Sequence, residues 1–218
     1  MKKKLLSMAF VSLLAAATFC ACNKDDDDTT TETAGTSTIA SGNNDFTIVN
    51  ASEYSDIDTA KLTAYHSEGR KVFSSAPIID GKFTINFPES IDDKYLVNLT
   101  KYFEIEKDGI TVTPSDAKMG EVDLYGYKAN DEYGTYNRYI IHQGEGWKGF
   151  VEYVNKDVTV TGSYSEGDDE NKRTYKYSYN LKKGWNICYK KDTKSGKHET
   201  EEYTTTPPAG ALWYFDDK

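Results

Sequence analysis

From Asp45 onward apolar and polar residues trade places at every second position, and that period narrows sharply what this chain can fold into. Successive side chains of a strand point to opposite faces, so a period of two gathers the apolar residues on one face. Phe83-Thr84-Ile85-Asn86-Phe87 is the clearest instance, and Pro88 stops it. Lys61-Leu62-Thr63-Ala64-Tyr65 alternates before a turn at His66-Ser67-Glu68-Gly69, Val72-Phe73 continues the pattern, and Tyr95 to Leu99 gives a further strand. A polar connector around Thr113 to Gly120 leads to strands over Val122 to Tyr127, Tyr136 to His142, Gly149 to Tyr153 and Val158 to Tyr164. Thr174 to Leu181, Trp185 to Lys190 and His198 to Thr205 follow, with Leu212 to Phe215 as a last edge strand. Asp80-Gly81 and Lys183-Gly184 are turn dipeptides, and Ser165 to Asn171 reads as an acidic hairpin tip. No apolar run at helical spacing exceeds two turns. The expectation is an all-β protein, an antiparallel β-sandwich over residues 45–112 followed by an antiparallel β-meander over 113–218.

The N-terminus has a different grammar. Lys2, Lys3 and Lys4 precede an apolar stretch from Leu5 to Phe19. That stretch is shorter than the roughly 20 residues a membrane-spanning helix needs, so residues 1–21 read as a secretory signal peptide. Phe19-Cys20-Ala21-Cys22 resembles the lipobox of bacterial lipoproteins. The resemblance implies cleavage before Cys22, a diacylglyceryl group and an N-acyl chain such as palmitate on that residue, and a stable membrane anchor. Residues 22–44 are dominated by Asp, Thr, Ser, Gly and Asn and read as a disordered acidic tether. Within it, Lys24, Asp25, Asp26 and Asp27 directly after the lipobox cysteine resemble the export signal of Bacteroidetes-type surface lipoproteins. That likeness implies a lipid-anchored protein on the outer membrane, facing the cell exterior.

Two further resemblances are short. Leu62 to Pro88, with "LTAY", "SSAPI" and "DGKFTINFPE", resembles the transthyretin-like and carboxypeptidase-regulatory-like β-sandwich modules, which implies a transthyretin-like or immunoglobulin-like first half. Asp28-Thr29-Thr30 and Asp58-Thr59-Ala60 resemble the O-glycosylation sites of exported proteins of the same bacterial group, which implies modification at Thr29 and Thr59.

The net charge of −9 becomes −12 once the signal and its three lysines are removed, leaving 23 basic against 35 acidic residues. Such a chain repels nucleic acid and anionic lipid, so no nucleic-acid partner is expected. Cys20 leaves with the signal and Cys22 takes the lipid, so Cys188 stands alone and no disulfide framework is available.

No residue pattern predicts chemistry. Gly144-Glu145-Gly146-Trp147-Lys148-Gly149 has the string of a dinucleotide loop, but a strand follows it where a helix is required, so it predicts a hairpin. His66, His142 and His198 each lack a second ligand at metal spacing, and Cys188 lies in an apolar strand as a small core residue. No catalytic residue, metal or cofactor is expected. The aromatic content is more informative. Tyr175, Tyr177 and Tyr179 share one strand face, and Trp147 and Trp185 stand near strand ends. Facing outward, these rings would form a stacking platform for a sugar. Facing inward, they would fill the sandwich, and with 38% apolar residues in the chain the core has reason to recruit them. The expected function is a non-catalytic binding or accessory module, with glycan as the leading ligand. The alternative is a structural or adhesive envelope protein working through protein–protein contacts.

Overall fold

A computed structural model describes residues 37–66, 69–103, 109–128, 137–168 and 171–216, all within one compact unit, Thr33–Lys218. Sixteen strands were found there: β1 Thr38–Ile39, β2 Gly42–Thr47, β3 Thr59–His66, β4 Gly69–Pro77, β5 Lys82–Phe87, β6 Leu96–Asn98, β7 Ile110–Thr113 and β8 Lys118–Gly120. The second half holds β9 Val122–Tyr127, β10 Asn137–Gly144, β11 Trp147–Val154, β12 Val158–Gly167, β13 Lys172–Leu181, β14 Gly184–Ser195, β15 His198–Thr204 and β16 Leu212–Phe215. The α-helical content of the described residues is one turn, α1 Leu99–Tyr102. The fold is all-β.

Local turn chemistry places the hairpins where the sequence predicts them. Glu145 and Gly146 both take positive φ, 51° and 80°, between the paired Gly144 and Trp147. Asp80 and Gly81 do the same at 50° and 75° between Ile79 and Lys82. Two-residue turns with both φ positive match the right-handed twist of flanking strands, which is why these strings close hairpins.

One large sheet runs in the order β4-β3-β9-β10-β11-β14-β15-β13-β12-β7. A two-stranded ribbon, β2 with β5, packs against one of its faces. Between ribbon and sheet lies the first core, where Phe46, Ile85 and Phe87 meet Leu62, Leu124, Ile140, Val151 and Trp185. A second core occupies the other face where the sheet curls. There Val112, Val160 and Leu181 close over Met119 and Val154, with Leu99 of α1 as the plug. Pairing runs across the boundary expected at residues 112 and 113, since β3 pairs with β9 over Thr59 to Ala64.

Two expectations need correction. The tether predicted to reach residue 44 ends sooner: Thr38 and Ile39 pair with Asn186 and Trp185, and β2 starts at Gly42. Its polar residues misled because β2 is one side of a ribbon whose outer face meets solvent, and only Phe46 of the strand is fully buried. The meander is also not wholly antiparallel. β14 and β15 form a hairpin, and β15 lies between β14 and β13, so it runs parallel to β13. Cross-strand ion pairs mark that register, Arg173 to Glu199 at 2.8 Å and Lys176 to Glu202 at 3.0 Å. Both are open to solvent, so each is worth under about 1 kcal/mol and sets alignment more than stability.

Candidate functional site

The tyrosine face of β13 decides where a ligand could sit. Tyr179 is 7% exposed and belongs to the second core, while Tyr177 and Tyr175 are half-buried. Core and platform are thus two ends of one stripe. Tyr175 stacks on Tyr164 of β12 at 4.6 Å, and its hydroxyl donates to Glu166 at 2.8 Å. Tyr177 stacks on Tyr203 of β15 at 4.6 Å, nearly parallel. Phe103, just after α1, meets the edge of Tyr177 at 5.0 Å.

Tyr164, Tyr177, Tyr179, Tyr203 and Phe103 line a cavity of about 430 Å³, and Tyr175 lies outside it. The cavity lies by the stretch of β14 at Tyr189 and Lys190, which pairs with β11 on one side and β15 on the other. Phe150 and Glu152 of β11, and Cys188 and Lys190 of β14, complete the wall. The register explains this, since Phe150 lies opposite Cys188 and alternate residues share a face. Above them α1 is held by its cap: the Asn98 side chain accepts from the Thr100 backbone N–H at 2.9 Å. Leu99 is thereby buried, and Tyr102 and Phe103 turn to the cavity.

The electrostatics are uneven. Lys190 is satisfied by Glu201 at 2.9 Å and Asp192 at 3.2 Å. Glu201 in turn accepts from the Tyr203 hydroxyl. At the other end, Glu152 has no ion-pair partner among the described residues. Burial, then the carboxylates of Asp123 and Glu121, push its carboxyl well above the ordinary range. Burial likewise raises the phenols of Tyr177, Tyr179 and Tyr203, so at neutral pH they remain hydroxyl donors. Burial, and then Glu152, push the Cys188 thiol well up, so it is no nucleophile at neutral pH.

The remaining expected site residues lie apart from this cavity. Trp185, expected as a ligand-facing residue, is instead 1% exposed in the first core. Its indole N–H donates to the Pro88 carbonyl at 2.7 Å. Trp147 is half-buried, with the Lys191 ammonium 5.7 Å over its ring, on the face of β11 opposite to Phe150 and Glu152. It cannot join the tyrosine stripe. Thr59 begins β3, and its hydroxyl donates to Asp58 at 2.9 Å. Cys22, Lys24, Asp25, Asp26, Asp27 and Thr29 lie outside the described residues.

Glu152, Phe103, Phe150, Tyr164 and Tyr203 join the site without having been singled out in the sequence. One signal was available. In Phe150-Val151-Glu152-Tyr153-Val154 a lone carboxylate interrupts an apolar strand, which costs free energy unless something uses it. The described residues contain no group of three or more His, Cys, Asp or Glu able to hold a metal ion. No protein-family model matches the chain, and neither a curated protein nor a solved structure matches it.

Proposed function

We propose that this chain is a lipid-anchored, surface-displayed binding module that captures a glycan in the tyrosine-lined cavity, without catalysis. The observation that carries the reading is the cavity itself. About 430 Å³ lies within the size range of small-ligand sites, and aromatic walls with a few polar groups are their usual lining. Sugars present an apolar C–H face that stacks on such rings, and hydroxyls that pair with Tyr and Glu groups. The elevated Cys188 thiol favours binding over turnover. The structural or adhesive alternative is served less well. The edge strand β4 carries Arg70 and Lys71, and charges of this kind blunt recruitment of another strand.

A panel of immobilised oligosaccharides tests the binding half. At least one should bind, with affinity falling about tenfold in Tyr177→Ala and Tyr203→Ala, as expected for loss of one stacking ring. Trp147→Ala should leave it unchanged. Binding that ignores both tyrosine changes, or none across the panel, overturns the reading. The address is tested separately. Labelled palmitate should enter the protein in growing cells and fail to enter Cys22→Ala, and incorporation that survives the substitution refutes the anchor.

A further inference from the structure

The cavity carries a charge asymmetry that narrows its ligand further, and the narrowing rests on the glycan reading above. Among the described residues the cation that lines it, Lys190, is engaged by Glu201 and Asp192. The carboxyl at the opposite wall is not. Glu152 lines the cavity without a salt bridge among the described residues, and Asp123 and Glu121 are close enough to act on it. A neutral or anionic ligand would leave the Glu152 carboxyl protonated and without an ion-pair partner. An ammonium would supply that partner while the surrounding rings offer their negative faces to it.

We propose that the cavity takes a sugar bearing an unsubstituted, protonated amine, with the ammonium against Glu152 and the sugar's apolar face on Tyr177. Titratable and charged groups from several elements act on Glu152 or share its cavity. Asp123 is on β9 and Glu121 precedes it, Tyr102 is on α1, Tyr164 on β12, Tyr179 on β13, Cys188 and Lys190 on β14, and Tyr203 on β15. Of these only Lys190 is cationic, and its own pairs hold it. The free protein therefore keeps a proton on Glu152 over a range where an ordinary carboxyl is ionised, and an arriving ammonium displaces it. Affinity rises with pH through that range.

Titration calorimetry of the full chain with a glucosamine oligomer and its fully N-acetylated counterpart tests this. The oligomer with free amines should bind at least tenfold tighter than the acetylated one at pH 7. Its heat should also vary with buffer ionisation enthalpy in the sense of proton release. Glu152→Gln, checked for folding by its thermal midpoint, should abolish both the preference and the proton release. Equal binding of the two oligomers overturns this inference and leaves the glycan reading standing, whereas binding of neither overturns both. Choline binding as tightly as the amine-bearing oligomer would overturn the sugar component, because the ammonium alone would then account for recognition.

Discussion

Replacing Trp185 by alanine is expected to cost the fold about 3–5 kcal/mol, the usual range for truncating a large buried aromatic. Phe87 meets the indole edge-on at 5.1 Å from the ribbon, and Tyr153 meets it at 5.1 Å from the sheet. Removing the ring leaves a void between the two layers that neither strand can follow, because both are fixed by their ladders. It also leaves the Pro88 carbonyl without the indole donor it now has at 2.7 Å. Domains have only about 5–15 kcal/mol of stability in total, so the variant should unfold at markedly lower urea, with a thermal midpoint on the order of 10 °C lower. Trp147→Ala, at a half-buried position on the same strand face as Tyr153, should cost well under half as much. Urea unfolding followed by far-ultraviolet circular dichroism reads both. A loss below about 1 kcal/mol for Trp185→Ala would show that the ribbon does not close on this residue.

The contrast between these two tryptophans shows where the sequence is legible and where it is not. Local rules sufficed for β5, whose alternation and turn residues give its bounds almost to the residue. They said nothing of facing in β14, which is buried on both faces. Trp185, Ile187 and Tyr189 point one way while Asn186 and Cys188 point the other, and all five are buried because β14 runs between the two cores. Periodicity then carries no information about which side is which. The candidate site was illegible for a related reason. Tyr177 was visible as part of a stripe, but its neighbour Tyr203 comes to it only because β15 inserts between β14 and β13. Strand order is a long-range outcome that alternation does not encode. The start of β2 was missed for the opposite cause, since an edge ribbon can be made from mostly polar residues when one Phe reaches the core.

Glu152→Gln is expected to make the protein more stable, and the pH dependence of the gain gives the reason. In the unfolded chain this carboxyl ionises in the ordinary range, while in the folded protein burial, then Asp123 and Glu121, hold it protonated well above that range. Between the two values the unfolded state has lost a proton that the folded state keeps, so stability falls as pH rises, by up to about 1.4 kcal/mol per unit. Below the window the group is neutral in both states and costs little. The groups with depressed values act elsewhere. Asp157, held down first by the Lys183 backbone N–H and then by Lys182, and Glu199, held down by Lys194 and Arg173, lose their contribution as pH falls through their folded values, on the acid side of this window. The difference between parent and variant cancels them in any case. Urea denaturation from pH 4.5 to 8.5 should therefore give similar stabilities at the acid end, and a variant ahead by on the order of 2 kcal/mol at the alkaline end, because only the parent's unfolded state gains from losing that proton. A Gln variant that is no more stable at pH 8 than at pH 5, relative to its parent, would mean that folded Glu152 ionises in the ordinary carboxyl range. The cavity would then hold no retained proton for an arriving ammonium to displace.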